Sequence, residues 1–395
     1  MGGLRPWSHL AFRREAHYLG VGNPIGNLEP AMKITKVDVV LVDVPAIDPP
    51  FVWRKNIPGS DGAIVAGWLV IETDAGITGF ASVGRGVIFK DYVDRRFRGE
   101  LIGQDPMMRE YLWERMWEMD RIERFPPMLI HVVDVALWDI AAKAANLPVY
   151  KLLGGYRESI PAYASTVTYS SISEFLDIAS QFIDDGYRAI KLHAFGDAKK
   201  DAQLSLALRD HVGPDIALMY DGSAGFDLLD AVYLGHALDE ARFEWYEEPM
   251  REFSVTAYKW LGERVRVPLL LGEVTDGAHM SAGDFAATGV ATALRVSTFL
   301  RGGFTGAMRI AHLADAYHLR AEVHGFGLEQ AHLCMAIKNN TYYESLVKDN
   351  PYTTLDKGIV KVINGSINAP KGPGIGFEVQ WAEMGAPKGL EKYLK

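Results

Sequence analysis

The chain has 395 residues, a formal net charge of −9, 48% hydrophobic residues and a single cysteine, Cys334. That length builds one large domain or two, and the acidity argues against a nucleic-acid binder, which needs a basic face to displace counterions. No apolar run nears the roughly 20 residues of a membrane span, and a lone cysteine excludes an intrachain disulfide or a cysteine-held metal, so the reducing cytoplasm is the expected compartment.

Residues 1–31 show no periodic apolar face and lack the apolar core of about 7–15 residues that a signal peptide needs. They are expected to be an irregular extension ahead of a second possible start, Met32. From Ile34 to Val44 apolar residues recur as in a strand, and Pro45 ends it. A loop rich in Pro, Gly and Asp follows to Gly62. A second strand over Trp68–Glu72 meets the turn Asp74-Ala75-Gly76, so a β-meander is expected. Helical spacing then appears around Tyr111–Met119 and His131–Ala145, the latter stopping near Asn146-Leu147-Pro148.

Beyond Ser159 one unit repeats, a short β-branched or aromatic strand followed by a helix. The strands read as Ile160–Ala164, Arg188–His193, Ile216–Asp221, Phe243–Glu247, Pro268–Glu273, Ala293–Ser297, Arg320–His324 and Thr341–Glu344. Strands alternating with helices pair in parallel through right-handed crossovers, and eight of them favour a closed barrel over an open sheet. The expected fold is therefore α/β: a modified TIM (β/α) barrel over residues 159–369. An α+β capping domain over residues 32–158 precedes it and is completed by about 370–395.

Such a barrel works at the C-terminal ends of its strands. Asp221, Glu247 and Glu273 all fall there, each 26 residues from the next, one strand–helix unit apart. Three converging carboxylates repel unless a cation joins them, and an all-oxygen donor set selects a hard ion such as Mg²⁺. Lys191 and His193 share one face of their strand because side chains alternate with period two. His324 stands on the seventh strand, across the barrel. In the loop 45–62, Arg54 and Lys55 are suited to an anionic substrate. Arg301-Gly-Gly-Phe-Thr-Gly306 reads as a tight turn opening a helix rather than as a phosphate cradle.

The order Lys-x-His, Asp, Glu-Glu-Pro, Gly-Glu, Gly-Gly-x-Thr-Gly, His and Glu resembles the mandelate racemase group of the enolase superfamily. So do Ala136-Leu137-Trp138-Asp139 with Lys143, Leu152-Leu153-Gly154-Gly155, and Pro373-Gly374-Ile375-Gly376. The resemblance implies one Mg²⁺ on Asp221, Glu247 and Glu273, and a small-molecule carboxylate whose α-proton is removed to give an enediolate. It implies that Glu344 hydrogen-bonds the substrate carboxylate and that His324 is a general acid/base. Three positions depart from the pattern. His193 stands where a second lysine is usual, Ser223 where asparagine is common, and Ser297 where an aspartate supports the strand-seven histidine. Ser297 is then a candidate substrate contact.

Losing that aspartate points away from two-base racemisation and towards dehydration of an aldonic or aldaric acid to a 2-keto-3-deoxy acid. The alternatives are a racemase, epimerase or cycloisomerase on the same scaffold, or a homologue that binds a sugar acid without turnover. In the preferred proton path His193, assisted by Lys191, takes the α-proton and His324 protonates the departing hydroxyl. Lys191 as base, or His324 doing both jobs, are the other assignments. The expected partners are the substrate and further copies of the chain, with neither nucleic acid nor membrane.

Overall fold

The computed structural model describes residues 32–48, 50–58, 62–126, 128–346 and 360–377. The expected extension over 1–31 and most of the expected C-terminal completion, 378–395, lie outside the described residues. No helix among the described residues is long and apolar enough to cross a membrane.

The first part is a three-stranded antiparallel sheet of β1 (Ile34–Val44), β2 (Ile64–Thr73) and β3 (Thr78–Val83). Along β1, Val37, Val39, Val42 and Val44 turn inward. The central strand β2 is buried almost throughout from Ala66 to Val70. Helices α1 (Gly86–Tyr92), α2 (Arg98–Leu101), α3 (Arg109–Glu123), α4 (Met128–Ala144) and α5 (Val149–Leu152) follow, with a π-helical turn at Val93–Phe97 between α1 and α2. The segment from Gly86 to Leu101 carries no Ser, Thr, Asp or Asn at its start, the usual sign of a helix N-terminus, and the sequence did not mark it as helical.

Helix α4 is apolar nearly all round and buried accordingly. It lies so close to β3 that a Cβ on Gly79 would stand 2.2 Å from the Ala136 carbonyl oxygen. Its Asp139 accepts N–H bonds from Phe80 (3.0 Å) and Ile375 (2.9 Å) and pairs with Lys143 (2.6 Å). Val149 N–H bonds the Gly374 carbonyl and Gly374 N–H that of Leu147. The motif around Asp139 thus ties sheet, helix and the returning C-terminal segment together.

The second part is a curled parallel sheet. Its strands are β4 (Ser159–Ser165), β5 (Ala189–His193), β6 (Ala217–Asp221), β7 (Trp245–Glu247), β8 (Leu269–Leu271), β9 (Ala293–Val296), β10 (Arg320–Val323) and β11 (Tyr343–Leu346). They are hydrogen-bonded in sequence order from β4 to β10, and β11 returns beside β4. Helices α6 (Ile172–Asp184), α7 (Ala198–Val212), α8 (Leu228–Glu240), α9 (Val255–Gly262), α10 (Met280–Ala287), α11 (Gly303–Ala316) and α12 (Leu328–Ala336) connect them, and β12 (Ser366–Asn368) adds antiparallel to β4. Side chains of Ser171, Asp197, Asp227 and Ser254 cap four of these helices. Between β10 and β11 the ladder is replaced by contacts to the segment just before β11. Ala321 N–H bonds the Asn339 carbonyl, Val323 N–H bonds Asn340 Oδ1, and Thr341 N–H bonds Glu322 Oε2.

Each of the eight expected strands is present, with shifted ends. Strand β8 stops at Leu271 because Gly272 turns at φ +94°, so Glu273 lies beyond the strand rather than on it. Ser297 and His324 sit one residue past β9 and β10, and β11 runs two residues beyond Glu344.

Candidate active site

His193 pairs in register with Asp221 across β5–β6, and Asp221 with Glu247 across β6–β7, so three polar side chains reach the barrel mouth at one level. Glu273 joins them from the loop after β8. That loop is held by the Glu252 carboxylate, which accepts N–H bonds from Gly272 (2.6 Å) and Val274 (3.1 Å). Oxygens of Asp221, Glu248 and Glu273 lie within 4.8 Å of one another, and so do ligand atoms of Glu247, Glu273 and His324. Glu273 is the corner the two groups share. Its Oε2 is buried without a hydrogen-bond partner. Burial and the neighbouring acids Glu248, Glu247 and Asp221 push its carboxyl well above the usual range. An orphaned oxygen beside converging carboxylates fits a hard, oxygen-seeking divalent cation.

Lys191 is fully enclosed. Its Nζ lies 2.9 Å from Glu344, 3.0 Å from Glu247 and 3.3 Å from Asp221. Burial opposes the ammonium, but Glu247 and Glu344 outweigh it and hold its pKa well above the ordinary value. Glu344 is nearly as enclosed. It accepts from Ser165 Oγ (2.8 Å) and Gly325 N–H (2.7 Å), and pairs with Lys191 and Arg295. Burial would raise its carboxyl, yet Lys191 and Arg295 hold it well below the usual range. An ionised carboxylate only accepts, so Glu344 meets Lys191 and Arg295 as an acceptor.

His193 Nδ1 donates to the Thr166 carbonyl at 2.7 Å, and its Nε2 stands 2.9 Å from Asp221 Oδ2. The ring of Trp53 covers it, centroid to centroid 4.6 Å. His324 is half-buried, with Nδ1 3.3 Å from Glu273 and 3.6 Å from Glu344. Burial lowers its pKa to about 4, against the opposing pull of Glu344. Ser297 stands one residue past the Val296–Val323 pair, in line with His324, and offers a hydroxyl where the expected aspartate would offer a carboxylate. Its Oγ accepts the Leu300 N–H at 3.0 Å, closing the turn ahead of α11. The carboxylates near His324 therefore come from β11 and the loop after β8.

The loop carrying Arg54 and Lys55 docks on the mouth through Thr168 N–H to Val52 O (3.0 Å) and Lys55 N–H to Phe195 O (3.1 Å). The Arg54 side chain lies across Gly196 and Gly225, where a Cβ would collide with it or crowd it, and donates to the Ser223 carbonyl at 2.9 Å. Ser223 in turn gives Asp221 its N–H at 2.7 Å. Lys55 is exposed. Gly302 and Gly303 make a left-handed turn into α11, where Asp134 accepts the Thr305 N–H and hydroxyl. That is the tight turn the sequence indicated.

Two participants escaped the sequence reading. Glu248 was legible only as an acid beside Pro249, and Arg295 not at all. The available signal for Arg295 was a charge two residues before Ser297 inside an otherwise apolar strand, which period two puts on the same face. A cavity of about 700 Å³ opens beside His324, walled by Trp68, Tyr92, Leu129, Phe299 and Phe326. Glu329 and Gln330, joined through the Thr298 hydroxyl at 2.7 and 2.8 Å, give it a polar edge.

Residues 174–383 match the pattern described as enolase C-terminal domain-like, and residues 60–154 that of the mandelate racemase/muconate lactonizing enzyme N-terminal domain. The chain is 26% identical over 331 residues to a D-galactarolactone cycloisomerase of Agrobacterium fabrum, covering 78% of this chain and 87% of that one. It is 29% identical over 296 residues to a D-mannonate dehydratase of Novosphingobium aromaticivorans, covering 65% and 73%. The crystal structure of a D-glucarate dehydratase from Agrobacterium tumefaciens complexed with magnesium superposes with a TM-score of 0.81 at 28% identity, over 89% of this chain and 97% of that one.

Proposed function

The chain belongs to the enolase superfamily, in its mandelate racemase/muconate lactonizing enzyme group, and from that premise we propose that it is a Mg²⁺-dependent dehydratase. Its substrate is an aldonic or aldaric acid, and its product the 2-keto-3-deoxy acid. Asp221, Glu247 and Glu273 hold the ion, with Glu248 beside them. The bound ion supplies positive charge against the negative charge that builds on the substrate carboxylate when the α-proton leaves. Lys191, held as an ammonium, adds to it.

One observation carries the choice of dehydration. Of Lys191, His193 and His324, only His324 lines the cavity. Lys191 is spent on three carboxylates, and the Nε2 of His193 is turned to Asp221. His131 lines the cavity too, but its Nδ1 is bonded to the Met128 carbonyl at 2.8 Å and its Nε2 is turned towards Glu329 at 3.7 Å, so His324 is left as the base, and one base suits elimination better than two-base racemisation. This favours the assignment in which His324 does both jobs. Its Nδ1 is turned to Glu273 and Glu344, which leaves Nε2 for the substrate. Nε2 takes the α-proton and returns it to the β-hydroxyl. The C–O bond breaks, water departs, and the enol formed tautomerises to the ketone. Glu329 and Gln330 accept the remaining hydroxyls, and Arg54, bonded to the Ser223 and Lys55 carbonyls, holds its loop over the metal side of the mouth with Lys55 at the exposed edge. The named relatives that are dehydratases of sugar acids support the substrate class.

The test is a panel of aldonic and aldaric acids incubated with Mg²⁺ and followed for 2-keto-3-deoxy product. Loss of water from at least one acid is expected. An epimer or ring-opened isomer formed without loss of water would give the site to an isomerase. Binding without turnover of any acid would make the chain a sugar-acid-binding homologue.

A further inference from the structure

Arg295 lies on β9 with 1% of its surface exposed, inside the ring of strands that carries the site. Nη1 and Nη2 of its fork are hydrogen-bonded, and Nε makes charge contacts alone. Nε stands 2.5 Å from Glu247 Oε1 and 3.7 Å from Glu273 Oε2. Nη2 donates to Glu344 Oε2 at 3.1 Å and to the Tyr163 hydroxyl at 2.9 Å, and Nη1 to the Val323 carbonyl at 3.2 Å. One guanidinium thus bridges side chains or carbonyls from β4, β7, β10 and β11, and comes near the loop after β8.

We propose that Arg295 is a positioning residue and resident counter-ion of the metal site, fixing Glu247 and Glu344 before the ion arrives and weakening the ion's affinity in return. The proposal rests on reading Asp221, Glu247 and Glu273 as the ligands. Buried carboxylates are costly unless a cation meets them, and among the described residues Arg295 and Lys191 are the two fixed cations that touch this cluster. The guanidinium meets Glu247 with Nε and Glu344 with Nη2, so it faces the two carboxylates with separate nitrogens, whereas Lys191 faces both with one. Two cations facing the same oxygens repel. The coupling is reciprocal: whatever Arg295 contributes to the metal-stripped protein beyond its contribution to the loaded one is subtracted from the binding of the ion. A residue that only filled space would lack this sign.

The experiment measures Mg²⁺ affinity by calorimetry and melting temperature with and without saturating Mg²⁺ for the whole chain and for R295Q, R295K and D221N. R295Q is expected to melt lower than the wild type when stripped of metal, to recover most of that deficit in Mg²⁺, and to bind Mg²⁺ roughly tenfold tighter or more, as expected when a repelling charge is removed. R295Q that folds only in the presence of Mg²⁺ gives the same answer. R295K keeps the charge and is expected to bind Mg²⁺ within about threefold of the wild type. D221N is expected to lose binding. If R295Q binds Mg²⁺ no more tightly than the wild type while D221N loses it, the proposal falls and the ligand assignment stands. If D221N binds as the wild type does, the ligand assignment falls and takes the proposal with it.

Discussion

Lys191 brings one positive charge into a place closed to solvent, and Asp221, Glu247 and Glu344 meet it within 3.3 Å. Removing the charge leaves the carboxylates short of a partner, which typically costs about 3–5 kcal/mol for a buried pair broken on one side. K191M is therefore expected to lower unfolding stability by that order in denaturant titration. A loss under about 1 kcal/mol, the value of a surface pair, would mean that Arg295 alone balances the site. The residues of this cluster were legible in the sequence to different depths. Asp221, Glu247, Lys191 and His193 follow from their place at strand ends, because the strand pattern fixes which residue is last. Arg295 does not, since its partners stand 48 residues before it and 49 after it, and no local pattern encodes a meeting across the barrel. His324 was found, but its surroundings were not. The resemblance placed Ser297 beside it, and the fold brings the Glu273 and Glu344 carboxylates to its ring.

At the scale of elements, α4 and α11 are joined by Asp134, whose carboxylate accepts the Thr305 hydroxyl at 2.5 Å and its N–H at 3.0 Å. Burial raises the Asp134 pKa to about 7, against the lowering effect of those bonds. The sign follows from proton counting. Between the ordinary aspartate value of 3.8 and about 7 the folded chain keeps a proton that the unfolded chain has released, so stability falls as pH rises through that window, by up to about 1.4 kcal/mol per pH unit for one proton. D134N cannot titrate. It is expected to flatten the melting temperature between pH 4 and 7 relative to the wild type, and an unchanged slope would assign the pH dependence to other acids. The turn Gly302–Gly303 that presents Thr305 was readable because glycine pairs mark tight turns. The helical stretch from Gly86 to Leu101 was not readable. Its start, Gly84-Arg85-Gly86, offers no capping side chain type, and a π turn at Val93–Phe97 breaks the helical period.

At the scale of the whole molecule, the alternation of short apolar strands with helices carried the architecture, because each crossover leaves only one handed way to pack back on the sheet. What the pattern could not carry is how the sheet closes. Between β10 and β11 the expected ladder gives way to bonds from Ala321, Val323 and Thr341 to backbone and side chains around Asn339–Asn340 and Glu322, an irregularity without a periodic signature. The return of Gly374 and Ile375 to Leu147, Val149 and Asp139 was anticipated by resemblance and is seen in the hydrogen bonds. The architecture brings His324 to a cavity that His131 also lines, beside a nest of carboxylates. The most direct test of the account is the exchange of the substrate α-proton in D₂O with Mg²⁺ present, comparing the wild type with H324N and H193N on an acid that the wild type turns over. Loss of both exchange and dehydration in H324N, with exchange retained in H193N, is the predicted result; exchange that survives in H324N and vanishes in H193N would contradict it and make His193 the base.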